Sequence, residues 1–116
     1  MEIKNYLPLL RILSELDSES LNIILPHLES NVREAIYTCV FKVIYHSKGR
    51  LNQDLRQQLN EVLRDKKDEL DILARKDGDK LKKRRMLYAL GHELRVILNA
   101  AIPLMIVSLA NSNLKK

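Results

Sequence analysis

Apolar residues recur at intervals of three and four positions along almost the whole chain, and this spacing limits its fold more than any other feature. The spacing is typical of amphipathic α-helices, whereas half-buried strands require alternating apolar and polar residues, a pattern that no stretch sustains. The sequence contains only three Gly and three Pro, which excludes collagen-like and low-complexity disordered chains. We therefore predict an all-α protein.

Length and composition favour one compact domain. The 116 residues are enough for a single domain of ordinary size, and the hydrophobic content of 46% is sufficient for a self-standing core. We expect a compact bundle of five to six helices over residues 1–110, followed by a polar tail over residues 111–116. The long, apolar C-terminal helix is expected to pack against the first, third and fourth helices.

Local signals predict the boundaries of the first two helices. A leucine-rich stripe near the N-terminus indicates a helix over about 4–16. Asp17 or Ser18 is expected to cap a short second helix, because its side-chain oxygen would accept a hydrogen bond from an otherwise unpaired backbone N–H. Pro26 should kink or end this second helix.

The third and fourth helices have signals of their own. Asn31, with a glutamate three positions later, resembles a capping box. The third helix should end near Ser47, because Gly49 can adopt the left-handed conformation at a helix terminus. Asn52 is expected to cap the fourth helix. Polar residues interrupt its apolar stripe and predict a bend or break near 65–68.

The Asp-Gly-Asp sequence at 77–79 is the clearest break in the chain. Asp79 is expected to cap the final helix, and Pro103 should kink it. This helix would begin with a basic run and continue along apolar residues at helical spacing, namely Leu87, Leu90, Leu94, Leu98 and Ala101. The sequence thus predicts that the basic run and the most apolar stretch lie on one helix.

The whole net charge of +5 lies in residues 75–85. This segment holds seven bases and two acids, while the rest of the chain holds 13 of each. On a helix these bases would form ridges that suit non-specific binding of phosphates through release of counterions. The candidate contacts to DNA or RNA are Arg75, Lys76, Lys80, Lys82, Lys83, Arg84 and Arg85.

Two other interpretations of the basic segment stay open. One is a solvated helix face that nearby acidic residues partly neutralise. The other is a nuclear-localisation signal, which requires a dense basic tetrapeptide on an accessible surface. Cations at a helix N-terminus oppose the macrodipole, so helix stability alone does not account for the arrangement. No aromatic residue lies among the basic residues of this segment. The sequence therefore does not indicate stacking on the nucleobases of a single strand.

Residues 96–110 form the most apolar stretch, in which only Asn99 and Ser108 are polar. A membrane-spanning helix needs about 20 apolar residues, so these 15 do not favour a span. A helix that is apolar on all sides otherwise lies in a core or a subunit interface. We expect a core helix that also forms a homo-oligomer or other protein contact through Leu94, Ile97, Leu98, Ala101 and Met105.

The sequence predicts no catalytic residues, no metal site and no cofactor. His27, His46 and His92 lie far apart, with no acidic residue at ligand spacing. Cys39 lies on the apolar face of its helix and is expected to be a small core residue rather than a nucleophile. There is no glycine-rich phosphate loop and no plausible set of nucleophile and base. We therefore expect a protein that is not an enzyme.

Several short motifs follow one another in order between residues 31 and 107. They are Cys-Val-Phe-Lys-Val-Ile (39–44), Gly-Arg-Leu (49–51), Leu-Ala-Arg-Lys (73–76), Lys-Lys-Arg-Arg-Met-Leu (82–87) and Ile-Leu-Asn-Ala-Ala-Ile-Pro-Leu (97–104). This order resembles that of small basic helical proteins encoded by animal DNA viruses and by virus-like DNA transposons of the Polinton or Maverick type. That family tends to have a Gly-Gly pair after the basic cluster, where this chain has only Gly91. The resemblance implies a virus-derived structural or genome-associated protein and supplies no catalytic residues.

Two functions from different classes are therefore expected, and membrane activity of the C-terminal helix is a third, weaker hypothesis. The first is a virion-type or genome-associated structural protein that contacts nucleic acid through 75–85 and self-associates through apolar helices. The second is a helical interaction module or capsid-associated adaptor, in which the basic run is a localisation signal or a solvated face. A single cysteine and an N-terminus unlike a secretory signal favour an intracellular location. The basic run read as a localisation signal implies a nuclear location, and the resemblance implies a virion-associated one.

Overall fold

The computed structural model describes residues 3–45, 51–75 and 77–114, and beyond Ile106 it describes the backbone alone. The regular secondary structure of these residues is helical throughout, so the all-α prediction is confirmed. In chain order the elements are a 3-10 turn (Ile3–Tyr6), α1 (Leu7–Glu15), α2 (Ser18–Ile24), a second 3-10 turn (Leu25–His27), α3 (Ser30–Tyr45), α4 (Gln53–Asp65), α5 (Lys67–Ala74), α6 (Lys80–Tyr88) and α7 (His92–Leu114).

The helices surround α7, which packs against α1, α3 and α4 as the sequence predicts. Buried residues from all seven helices form one hydrophobic cluster. Leu, Ile and Val provide most of its volume, because the chain has few aromatic residues. The radius of gyration of 13.6 Å is near the roughly 13 Å typical of a folded chain of about 100 residues.

Three predicted N-caps are confirmed. Asp17 Oδ1 accepts a hydrogen bond from the Ser20 N–H at 2.7 Å, and this bond lowers the pKa of the Asp17 carboxyl. Asn52 Oδ1 accepts from the Leu55 N–H at 2.8 Å. Each cap pairs one of the backbone donors that a helix start leaves unsatisfied. The third cap is Asp79, at the start of α6.

The predicted break near 65–68 is also confirmed. α4 ends at Asp65, and α5 begins two residues later at Lys67. Between them Lys66 has φ −118° and ψ 27°, outside the helical range. Beyond this break, Leu70 and Leu73 of α5 are fully buried in the core.

Other boundaries differ from the prediction. α3 begins at Ser30, so Asn31 lies in its first turn and is not its cap. The Glu29 carbonyl accepts the backbone N–H of Arg33 at 3.1 Å, so the helix starts two positions earlier than a cap at Asn31 would place it. The end predicted near Ser47 lies outside the described residues. Pro8 falls in the first turn of α1, where a missing N–H costs nothing, and the residues before it form a 3-10 turn.

The main correction concerns the C-terminal third. The single helix predicted there is two helices, α6 and α7, and the chain turns by 103° between them. Gly91 occupies the turn with φ +56°, a left-handed conformation that favours glycine. This division brings the described helices to seven instead of five to six. α7 then continues to Leu114, so the predicted polar tail is helical as far as residue 114.

Candidate nucleic-acid interface

The basic run of 75–85 does not form a single surface, because α6 buries one side of itself. Lys83 and Leu87 lie four residues apart on the side that faces the core. Lys80, Lys82 and Arg85 are exposed, and we call these three residues the basic face. Basic residues that neighbour one another in the sequence therefore fall into two groups in the structure, an inner group that faces the core and an outer group that is exposed.

Lys83 belongs to the inner group and is only 6% exposed. Its Nζ donates a hydrogen bond to the backbone carbonyl of Arg75, at the C-terminal end of α5. Its ammonium also lies 5.3 Å from the centroid of the Tyr37 ring on α3. A helix C-terminus and an aromatic face both attract cations, so these contacts offset part of the cost of burying the charge. Lys83 is therefore not available to bind phosphate, contrary to the prediction.

Arg84 is half-buried and directed along its own helix. Its Nε donates to the Tyr88 hydroxyl at 3.2 Å, one turn further along α6. Arg75 is exposed at the end of α5, beside the start of α6. Lys76 lies outside the described residues. Of the seven predicted contacts, the structure thus exposes four, namely Arg75, Lys80, Lys82 and Arg85.

Tyr37 lies where α3 meets α6. Its side chain is 7% exposed, and its hydroxyl has no hydrogen-bond partner among the described residues. Burial raises the pKa of the Tyr37 phenol, and the positive charge of Arg33 acts in the opposite direction. The neutral phenol therefore presents its ring face to Lys83 at physiological pH.

The charge of the basic face is not neutralised by ion pairs within the described part of the chain. The contacts between basic and acidic side chains there include Arg64 with Asp65 and His92 with Glu93, both of neighbouring residues and neither involving the basic face. Asp79, the acid next to the basic face, is engaged as the cap of α6. Its Oδ1 accepts from the Leu81 N–H at 2.9 Å and from the Lys82 N–H at 3.4 Å. Within the described residues these three basic side chains are thus exposed without a carboxylate partner, which is compatible with nucleic-acid contact and with a solvated helix face.

The predicted oligomer interface is corrected by the burial of its residues. Leu94, Ile97, Leu98 and Ala101 are fully buried and Met105 is 1% exposed, all within the core of the chain itself. Side chains without exposure offer no surface to a second copy. The apolar character of α7 instead serves the packing of α1, α3 and α4 around it.

A different apolar surface lies between α1 and α7. Ile12 is 56% exposed and Ile106 is 47% exposed, and both line this groove together with Pro8 and Ile102. Two adjoining cavities of about 430 and 490 Å³ follow the groove. Arg11 and Glu15 are among the residues of both cavities. The helical spacing of α1 does not predict this surface, because its apolar stripe is broad enough to reach beyond the core.

Cys39 is a core residue, as predicted. It is fully buried, and its Sγ lies 3.8 Å from the Met105 Sδ. Burial raises the pKa of its thiol to about 12. Within the described residues, no group of three His, Cys, Asp or Glu side chains is placed to hold a metal ion.

None of the helices, as far as the structure describes them, is by itself long and apolar enough to cross a membrane. α6 and α7 meet the length and composition criteria only as a pair, and the chain bends by 103° between them.

No protein-family model matches this chain, and neither a curated protein nor a solved structure shows significant similarity to it.

Proposed function

We propose that this chain is a non-enzymatic, genome-associated structural protein that contacts nucleic acid through the basic face of α6. The observation that carries the proposal is the exposure of Lys80, Lys82 and Arg85 without a carboxylate partner in the described part of the chain. Lys82 and Arg85 lie three positions apart, so they project from the same side of the helix. Arg75 extends the positive surface toward α5.

The binding would be directed at phosphates and would not depend on base sequence. Lys and Arg bind the nucleic-acid backbone by displacing condensed counterions, and this accounts for most non-specific affinity. α6 has nine residues and ends at a sharp bend, and its exposed basic residues lie within its first six positions. A short helix of this kind suits contact with two or three successive phosphates.

The structure changes which variants test this function. Replacing Lys83 would disturb packing, so the test variant is Lys80→Gln, Lys82→Gln and Arg85→Gln combined. The matched control is Arg56→Gln, Arg64→Gln and Lys67→Gln, which removes the same charge from other exposed positions. At about 50 mM salt we expect the test variant to bind DNA at least about tenfold more weakly, and the control to stay near the wild type. Equal binding by the test variant and the wild type would refute the proposal.

A virion-type setting is part of the proposal and rests on the resemblance of the ordered motifs between residues 31 and 107 to viral and transposon proteins. A nuclear or virion-associated location follows from the same resemblance. The alternative interpretation, a nuclear-localisation signal, requires the tetrapeptide at 82–85 to be accessible to an importer. The burial of Lys83 and the contact of Arg84 with Tyr88 favour nucleic-acid contact over that interpretation.

Self-association is a second candidate function, and the groove between α1 and α7 favours it. Ile12 and Ile106 expose apolar surface there, while Arg11 and Glu15 lie one turn apart on α1. If two copies of α1 packed antiparallel, the Arg11 of each would face the Glu15 of the other, which makes the surface self-complementary.

Light scattering over a range of concentrations tests this candidate. We expect the wild type to dimerise and Ile12→Glu to stay monomeric, because a buried charge would be unpaired in the dimer. Ile23→Glu is the control, since Ile23 is 66% exposed on α2, away from the groove. A wild type that is monomeric at every concentration would exclude this function.

A further inference from the structure

A small pocket lies where α3 meets the end of α5 and the middle of α6. Its volume is about 120 Å³, well below the roughly 300–1,000 Å³ of pockets for drug-sized ligands. It therefore has room for little more than one planar ring. The residues that line it are Glu34, Tyr37, Thr38, Phe41, Leu73, Ala74, Arg75 and Lys83.

An aromatic surface adjoins this pocket. Phe41 lines the pocket and is 36% exposed, and Tyr45, one turn along α3, is 63% exposed. The centroids of the two rings are 4.8 Å apart, with the ring planes tilted by 42°. Large aromatic side chains on a surface are the platforms on which unpaired bases stack in proteins that bind single-stranded nucleic acid.

The charges around the pocket separate a place for a base from a place for phosphates. Arg75 is exposed at the rim and connects the pocket with the basic face of α6. The buried ammonium of Lys83 also lines the pocket, but it is held by the Arg75 carbonyl and the Tyr37 ring. Glu34, an exposed residue, contributes a carboxylate to the same lining, which would repel a phosphate but accept a hydrogen bond from an amino or imino group of a nucleobase. Phosphates would therefore lie on the side of Arg75 and α6, with the base inside.

We propose that this pocket takes one unpaired nucleobase against the Phe41 ring, so that the chain binds single-stranded nucleic acid more tightly than duplex. The inference rests on the proposed function, because the basic face holds the strand. Bases inside a duplex are stacked and paired and cannot enter the pocket without being extruded. The sequence places no aromatic residue among the basic residues of 75–85. In the structure α5 packs against both α3 and α6, and this brings Tyr37 and Phe41 beside Arg75 and Lys83.

Fluorescence anisotropy with one labelled strand of about 12 nucleotides, alone and as a duplex, tests the proposal. Phe41→Ala should bind the single strand roughly fivefold or more weakly, since stacking one base contributes about 1 kcal/mol or more, and should bind the duplex as the wild type does. Phe41→Trp keeps a stacking ring and should retain the single-strand affinity. Ile23→Ala is a control that removes exposed apolar surface elsewhere. The circular dichroism of all variants establishes that they fold alike.

The outcomes separate this inference from the function on which it rests. A wild type that binds neither form of DNA at low salt overturns both. A wild type that binds single strand and duplex equally, with Phe41→Ala unchanged, overturns the base pocket and leaves the phosphate contact of α6 standing. Equal loss of both affinities in Phe41→Ala also overturns the pocket, because a base cannot reach it from an intact duplex.

Discussion

The Lys83 ammonium lies 5.3 Å from the centroid of the Tyr37 ring and donates a hydrogen bond to the Arg75 carbonyl. One side chain thus connects α6 with α3 and with the C-terminal end of α5. A cation near the N-terminus of α6 is disfavoured by the dipole of that helix. The contact explains why the basic residue Lys83 nevertheless lies on the inner side of α6. The charge of Lys83 is directed at the negative end of a different helix.

Replacement of Lys83 should affect stability, whereas replacement of its neighbour Lys82 should not. We expect Lys83→Ala to lower the free energy of unfolding by about 1–3 kcal/mol, because a hydrogen bond from a charged group and the packing of the buried stem are lost. Lys82→Ala should stay within about 0.5 kcal/mol of the wild type, as exposed substitutions usually do. Urea unfolding measures both. Equal stability of the two variants would contradict the structural role of Lys83.

The bend between α6 and α7 should be sensitive to the residue at position 91. Gly91 has φ +56°, and an added Cβ would meet only Glu93 Oε2 at 3.8 Å, which is ordinary contact. The cost of Gly91→Ala is therefore conformational, about 1 kcal/mol. Gly91→Asn should cost less, because Asn tolerates the left-handed region better, and Gly91→Val more. Thermal unfolding gives the order of stability of the three variants. A Gly91→Asn variant that is less stable than Gly91→Val would contradict the left-handed conformation of residue 91.

The cap of α6 offers a test that separates stability from charge. Asp79→Ala should lower the free energy of unfolding by about 1 kcal/mol, because the N–H groups of Leu81 and Lys82 lose their acceptor. Asp79→Asn keeps a capping oxygen and should remain stable. Both variants remove a negative charge beside the basic face, so both should bind DNA more tightly. An affinity that falls in Asp79→Asn would contradict the proposed site.

Cys39 should make stability depend on pH under alkaline conditions. Its pKa is raised from 9.0 to about 12 in the folded chain, so between these values the unfolded thiol loses its proton while the folded thiol keeps it. The free energy of unfolding should therefore fall as pH rises above 9, by up to about 1.4 kcal/mol per pH unit from this group. Cys39→Ala should lack that component. Parallel pH profiles for the wild type and Cys39→Ala would show that the thiol is not buried as described.

The features that sequence predicts well here are local. Asp17, Asn52 and Asp79 each accept a hydrogen bond from a backbone N–H two or three positions later. Such a cap needs no contact with a distant segment of the chain. The interruption near 65–68 follows from polar residues that break an apolar stripe. The buried stripes of α3 and α7 likewise follow from helical spacing, since an apolar face must be covered by something.

The features that sequence did not predict depend on contacts between distant segments. The burial of Lys83 requires Tyr37, which is 46 positions away and outside the basic run, and it requires that α5 end at the carbonyl of Arg75. The burial of Leu94 and Met105 in the chain's own core, rather than in an interface, depends on how three helices close around α7. The bend at Gly91 had a local signal, because glycine is common at the end of a helix. The leucines on either side of it keep helical spacing, however, and this spacing predicted one continuous helix.

The central claim is that Lys80, Lys82 and Arg85 contact phosphates while Lys83 does not. The most direct measurement is the slope of the logarithm of duplex-DNA affinity against the logarithm of salt concentration. Each lost phosphate contact should make the slope shallower by about 0.9, so the triple Gln variant of the basic face should differ from the wild type by about 2.7. Lys83→Met, which keeps the buried stem, should retain the wild-type slope. A triple variant with the wild-type slope, or a Lys83→Met variant that loses as much as the others, would contradict the account.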